Sequence, residues 1–402
     1  MNLANRIAKA SLEKFDSLPK NGKPIKNEEW TVLSTICQEN TSTDTLIVVS
    51  LGTGTKCLTG QNLAEHKGTK IHDSHAEIIA RRGFLRYIYE QIGLHLNGKS
   101  EIFEKNFTSE HKLKLRDDIN FHFFTTHLPC GDASISEHTE LGPPEAKKAR
   151  LEQKSEFETD FYTGARLIST EIDDTMSQTS GIRTKPGRGV RTLSVSCSDK
   201  LFKWNLMGVQ GALLSTLIEN PIYFKSFTLL GGNEAAESSL KRALIDRYEE
   251  KSKIMKHPFK FNSNLVINVL QEQKFAFAKD DERRPCPSSI VWCLCQDRPH
   301  EVTVDGRKLG VTKKTKGAKS RLLISKIEIL RTFLRIVNDE KTFKSALFPD
   351  ESNESDLLSK ITYEKAKSCA KLYNEQWNLL VTDCIKLWTK KPENLNSFLV
   401  ID

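Results

Sequence analysis

The 402-residue chain has no stretch approaching the roughly 18 uninterrupted apolar residues of a membrane-crossing helix, so no span is expected. Its opening, MNLANRIAKASLEKFDSLPK, lacks the continuous apolar segment of a secretory leader. Leu3, Ile7, Leu12 and Phe15 stand there at near-helical spacing and predict an ordinary first helix. A disulfide framework is also missing. The 9 cysteines are an odd number, scattered along the chain, and point to free thiols or metal ligands in a reducing compartment. An intracellular location, cytoplasmic or nuclear, is the matching expectation. No internal repeat and no long flexible linker divide the sequence. Net negative charge is absent too: the formal charge is +8 and the isoelectric point about 8.9, a weak lean towards a polyanionic partner.

What is present is 38% hydrophobic residues, enough for a core, in alternating strand and helix patterns. TLIVVSLGTGTKCLTG (45–60) reads as a strand, a Gly/Thr turn and a second strand. Residues 76–92 place Ile78, Ile79, Leu85, Ile88 and Ile92 mostly three, four or seven apart, which predicts a helix with one buried face. INFHFFTTHLPC (119–130) begins as a strand and breaks at Pro129. Residues 192–224 predict strand, turn, long apolar helix and strand. Further helices are expected near 237–250, over 318–337 and over 361–388. The stretch 137–182, which holds TELGPPEAKKARLEQKSE, reads as a poorly ordered surface insertion. The fold class is therefore α/β, with one domain over residues 1–402.

Three residues capable of holding a metal share a context, each where a strand or loop gives way to a helix: His75, Cys130 and Cys197. Zinc takes imidazole and thiolate readily, and a catalytic site keeps three protein ligands and an open position for water. A helix N-terminus lowers a thiol's pKa and favours the thiolate a metal needs. Glu77, two residues after His75, is poorly placed to join the same metal but can serve its water as general acid and base. That is the His-x-Glu and Pro-Cys logic of zinc nucleobase deaminases. On spacing alone the alternatives stay open. Ala133 stands where the Pro-Cys-x-x-Cys form has its second cysteine. Cys286, Cys293 and Cys295, in CPSSIVWCLC, offer another thiol set, in which Cys293 and Cys295 share a strand face and read rather as core thiols.

SCSDKLFKWNLMGVQGALL (196–214) resembles the third zinc-ligand segment of the adenosine deaminases acting on RNA and on tRNA. DSHAEIIARRGFLRYIY (73–89) and LPCGDASI (128–135) resemble the first two segments, in the same order. RTKPGRG (183–189), ENPIYF (219–224), CPSSI (286–290), SRLLISKIEILRTF (320–333) and TYEKAKSCAKLYNEQW (362–377) extend the likeness over essentially the whole chain. The resemblance implies a cytidine-deaminase-like mixed sheet flanked by helices, with extra C-terminal helices. It implies one zinc on His75, Cys130 and Cys197, and Glu77 moving protons while water attacks C6 of a flipped-out adenine. Only 74 residues precede His75, which leaves no room ahead of it for double-stranded-RNA modules.

Within the family, the KPGRG loop is similar to the tRNA-acting branch, which makes the adenosine 3′ of the anticodon (position 37) of alanine tRNA the expected substrate. A duplex mRNA editor or a catalytically silent RNA-binding relative are the alternatives. The expected partner is tRNA, with no DNA, no membrane and no obligatory protein partner, and a monomer is expected. Lys185 and Arg188 are the candidate substrate contacts. Arg188 stands where duplex editors usually carry a glutamate, and it reads either as a phosphate or stacking contact or as a solvated loop residue.

Arg81 and Arg82 lie one turn beyond Glu77 in an apolar helix, an expensive place for positive charge. They read either as an exposed edge, or paired with aspartates such as Asp199, or as part of a cationic cluster with Lys200 and Lys203. The resemblance implies buried inositol hexakisphosphate, held by Arg81, Arg82, Lys200, Lys203, Lys326 and Lys367, with Tyr363, Tyr373 and Trp388 lining the cavity. Trp377 departs from the family pattern, because duplex editors have another lysine there.

Overall fold

In a computed structural model, the structure describes residues 1–58, 66–135, 181–185, 192–247, 253–312, 314–315, 317–351, 356–385, 387–389, 392 and 395–400. The expected insertion at 137–182 lies almost wholly outside the described residues, and so does Arg188.

The first helix, α1 (Leu3–Ser17), starts where the Asn2 side chain accepts from the Asn5 N–H at 2.9 Å. It buries Ile7, Ala8 and Phe15, and a large apolar side chain contributes roughly 1.5–3 kcal/mol when fully buried. The strands are β1 (Glu29–Trp30), β2 (Leu33–Asn40), β3 (Thr45–Thr53), β4 (Thr55–Cys57), β5 (Asp73–His75), β6 (Ile119–Thr125), β7 (Phe224–Leu230), β8 (Val266–Leu270), β9 (Arg284–Pro285), β10 (Ser288–Cys293), β11 (His300–Val304) and β12 (Arg307–Lys308). The main sheet runs β12-β11-β10-β3-β2-β6-β7-β8. Its β2, β3, β10, β11 and β12 pair antiparallel, as does β2 with β6, whereas β6, β7 and β8 run parallel. The sheet is mixed and flanked by helices, as the fold class required.

Helix α2 (Ala76–Leu96) crosses β3, β2 and β10 on one side, and α1 covers β2, β3, β6 and β7. The close approach of α2 depends on Gly52, where a Cβ would meet Ala80 N at 2.4 Å and Ala76 O at 2.5 Å. The remaining helices are α3 (Cys197–Met207), α4 (Gly211–Ser215), α5 (Glu234–Leu244), α6 (Lys326–Asp339), α7 (Lys341–Leu347), α8 (Tyr363–Ser368) and α9 (Lys371–Leu379), followed by a π-helical turn over Leu380–Ile385.

Three expectations are corrected here. The long apolar helix within 192–224 is two helices, because Gly208, which ends the first, and Gly211, which opens the second, take positive φ of 75° and 74°. No strand forms over 192–196; Val195 makes one isolated bridge to Thr184. The helix expected over 318–337 starts only at Lys326, where Ser325 caps and its side chain accepts from the Glu328 N–H.

Candidate metal centre and its basic neighbour

His75 closes β5, whose antiparallel partner β4 follows directly from β3, and it also caps the start of α2. Cys130 follows the end of β6, past Pro129, and Cys197 is the first residue of α3. β3 and β6 run the same way on either side of β2, so the two ligand segments leave one edge of the sheet together. The result is a cluster in which the potential ligand atoms of His75, Cys130 and Cys197 all lie within 4.8 Å of one another. The His75 Nδ1 is 3.6 Å from Cys197 Sγ and 3.8 Å from Cys130 Sγ. One imidazole and two thiols in this spacing suit a tetrahedral zinc with an open fourth position. It is the one metal-capable cluster found among the described residues.

Backbone and hydroxyl groups hold the two cysteine turns against each other. The Cys197 N–H donates to Cys130 Sγ at 3.3 Å, and the Ser198 N–H and hydroxyl both donate to the Cys130 carbonyl at 3.0 Å. Gly131, at φ 101°, makes the turn possible, since a Cβ there would meet Ser196 Oγ at 2.2 Å. The Cys130 thiol is held well below the usual range by its hydrogen bond with Cys197 and, against burial, by Lys185 and His75. Glu77 is 3% exposed. Burial pushes its carboxyl up, although His75 and Lys185 pull the other way.

Asp73 went unread in the sequence. Burial would raise its carboxyl, but Lys185 and Lys200, then His75, hold it well below the carboxylate range. Its Oδ1 accepts from Lys185 Nζ at 2.9 Å, and its Oδ2 from Ser194 Oγ at 2.9 Å and from Lys200 Nζ. Lys185, expected at the substrate, is 1% exposed, and its ammonium also donates to Cys197 Sγ at 3.1 Å. In the structure this lysine is held by Asp73 and Cys197, beside the candidate metal ligands. Burial pulls its ammonium down, but Asp73 and then Cys197 raise it well above the usual range, so it stays charged.

The expected cations converge one turn further along α2 and α3. Arg81 Nε donates to the Val209 carbonyl at 2.8 Å and Arg82 to the Ile324 carbonyl at 2.7 Å. Neither pairs with Asp199, whose partner is Arg247. Burial pulls Arg81 down to about 10, with Arg82 adding to the fall. Burial, then Lys367 and Arg81, drive Lys203 well below its usual value. Lys203 Nζ sits 3.4 Å over the Trp377 ring and 5.7 Å from both Tyr373 and Trp388. Lys326 and Lys367 approach the Tyr363 ring at 5.3 and 5.7 Å, and Lys326 also donates to Asn396. Lys200 is the exception, because Asp73 neutralises it. Among the described residues no carboxylate pairs with Arg81 or Lys203, so the donor set suits a polyanion.

Of the other thiol set, Cys293 and Cys295 meet through a side-chain hydrogen bond, but Cys286 does not join them among the described residues. Cys293 ends β10, whereas Cys295 lies beyond the strand in a turn where its N–H donates to the Cys293 carbonyl at 2.9 Å. Cys286 contacts Ser288 at 3.3 Å.

Comparison with known proteins now decides the family. The profile of the adenosine-deaminase (editase) domain matches residues 50–392. This chain belongs to that family. It is 40% identical to tRNA-specific adenosine deaminase 1 of Drosophila melanogaster, over 98% of this chain and 96% of that protein. With tRNA-specific adenosine deaminase 1 of Homo sapiens it shares 31% identity, over 98% of this chain and 99% of the other. The double-stranded RNA-specific adenosine deaminase of Mus musculus is 28% identical over 98% of this chain but only 32% of its own length. In this editase domain, sequence reasoning missed Asp73 and Asp132 and offered Asp199 to Arg81 and Arg82 instead of Arg247. A signal existed: one aspartate lies two residues before the histidine and one two residues after each cysteine.

Proposed function

We propose that the chain is a zinc-dependent tRNA adenosine deaminase that makes inosine at position 37, 3′ of the anticodon, of alanine tRNA. The observation that carries the reading is the His75, Cys130 and Cys197 triad with Glu77 buried beside it. Its setting is a chain similar over 98% of its length to tRNA-specific adenosine deaminase 1 of Drosophila melanogaster. His75, Cys130 and Cys197 would hold zinc, which supplies an acidified water in its open position. Glu77 would accept a proton from the attacking water on its carboxylate and pass it to the amino group as that group leaves C6 as ammonia. Burial, by raising its affinity for protons, suits it to both halves of the task. Lys185, hydrogen-bonded to the Cys197 sulfur, draws charge from that ligand and, through Asp73, fixes the turn that presents His75.

The basic neighbour is read as the seat of inositol hexakisphosphate, a structural ligand for Arg81, Arg82, Lys203, Lys326 and Lys367. Arg81 and Lys203, half-buried and pulled down by desolvation with no carboxylate beside them among the described residues, support it. Residues 1–402 act as one domain and as a monomer, with Arg188 at the RNA. Incubating the purified protein with total tRNA and mapping inosine by sequencing tests the reading. Inosine at position 37 of alanine tRNA is expected. Inosine in long duplex RNA with none in tRNA would place the chain with the duplex editors, to which it is also similar.

A further inference from the structure

Each cysteine of the triad is followed two residues later by a fully buried aspartate, as Cys130–Gly131–Asp132 and Cys197–Ser198–Asp199. Both aspartates are met by arginines from one short segment. Arg242 lies in the last turn of α5, and Arg247 just beyond it. Arg242 Nε is 3.2 Å from Asp132 Oδ2, and its second arm donates to the carbonyls of Asp132 at 2.9 Å and Ile135 at 2.8 Å. Arg247 is 2.9 Å from Asp199 Oδ1, and both side chains are wholly buried. Its guanidinium lies 4.8 Å over the Phe202 ring. The other Asp199 oxygen accepts from Ser196 Oγ at 2.6 Å and from the Arg183 N–H at 3.0 Å.

Buried ion pairs seldom add stability over apolar packing, because both charges must be stripped of water. Here they add geometry. The two cysteine turns lie 67 residues apart in the chain, and a turn free to relax would carry its sulfur away, so that binding a metal would first have to restore their spacing. We propose that Arg242 and Arg247 form a bracket that fixes the Cys130 and Cys197 turns at metal-binding distance before the metal arrives. They are positioning residues for the metal centre. The inference rests on the zinc reading of the triad.

The test measures zinc dissociation constants by competition with a chromophoric chelator. The proteins are the wild type, Arg242→Gln, Arg242→Lys, and the charge-neutral double variant Asp132→Asn with Arg242→Gln. Melting temperatures of the zinc-free proteins and the sulfur-to-metal band of the cobalt-substituted forms are recorded alongside. Loss of such a supporting contact typically weakens metal affinity about 10–100-fold. That loss is expected for Arg242→Gln and for the double variant, with a displaced cobalt band. Arg242→Lys, which keeps the charge but not the fork to two carbonyls, should recover part of it. Affinities within about threefold of wild type and an unchanged band, in variants whose zinc-free melting has fallen, would overturn the bracket and leave a structural ion pair. A wild-type protein that takes up no zinc would overturn the zinc reading, and the bracket with it.

Discussion

The two buried sites of this molecule share two helices yet carry opposite charge. At the first turns of α2 and α3 lie His75, Glu77 and Cys197, and one turn further lie Arg81, Arg82, Lys200 and Lys203. Helix N-termini favour thiolate and carboxylate, so the first set sits with the helix dipole. The cations behind it gain nothing from that dipole. Asp73 belongs to both sites, since it takes Lys185 from the metal side and Lys200 from the basic side. Beyond that contact, Arg81 and Lys203 are left with aromatic faces and carbonyls. One cluster, by its imidazole and thiols, could take a cation, whereas the other, with no carboxylate beside Arg81 or Lys203 among the described residues, suits an anion.

The largest effects are expected at the candidate metal ligands. Cys130→Ala and Cys197→Ala should each lose both zinc and deamination, because three protein ligands are the minimum for a catalytic site. Metal analysis of the purified variants checks this, and full occupancy in both would move the site elsewhere. Glu77→Gln separates chemistry from binding. Deamination should fall by about 10²–10⁴-fold or more, with zinc content and tRNA binding close to wild type. A variant keeping more than roughly a tenth of the wild-type rate would contradict the assigned proton carrier.

The basic side should respond in the opposite sense. Lys203→Gln should lower the soluble yield and the melting temperature of protein made with the polyphosphate, while each soluble molecule still holds zinc. Loss of zinc alone, with melting unchanged, would reverse the assignment of the two sites.

The smallest effect tests whether burial alone creates such demands. His122 is buried in the sheet, where its Nδ1 meets Ser226 Oγ at 2.8 Å and its Nε2 meets Glu39 at 3.1 Å. Burial pulls its pKa below 6.5, with Lys225 adding and Glu39 opposing. Below pH 6.5 the unfolded chain therefore takes up a proton that the folded chain refuses, and stability falls as the pH drops through that window. One group limits the slope to about 1.4 kcal/mol per pH unit. Chemical denaturation at several pH values should show that slope shrink in His122→Gln.

Much of this was legible in the sequence, because motifs with a mechanism fix position. His75, Glu77, Cys130 and Cys197 could be placed from residue type and context, and α2 from its apolar spacing. The helix breaks at Gly208 and before Ser325 were not, since apolar periodicity continues across both and only local backbone and capping chemistry interrupts it. Lys185 was misplaced for a related reason. A lysine in a Pro/Gly-rich loop reads as a substrate contact, and only the fold reveals Asp73 and Cys197 around its ammonium. Asp73 and Asp132 escaped, and Asp199 was given the wrong partners, because Lys185, Arg242 and Arg247 are distant in sequence.

The most direct test of the account is native mass spectrometry of the purified protein, with the released small molecules analysed after denaturation. The account predicts one zinc and one inositol polyphosphate per chain, both lost only when the protein unfolds. A fully active protein whose native mass equals that of the chain alone would contradict it.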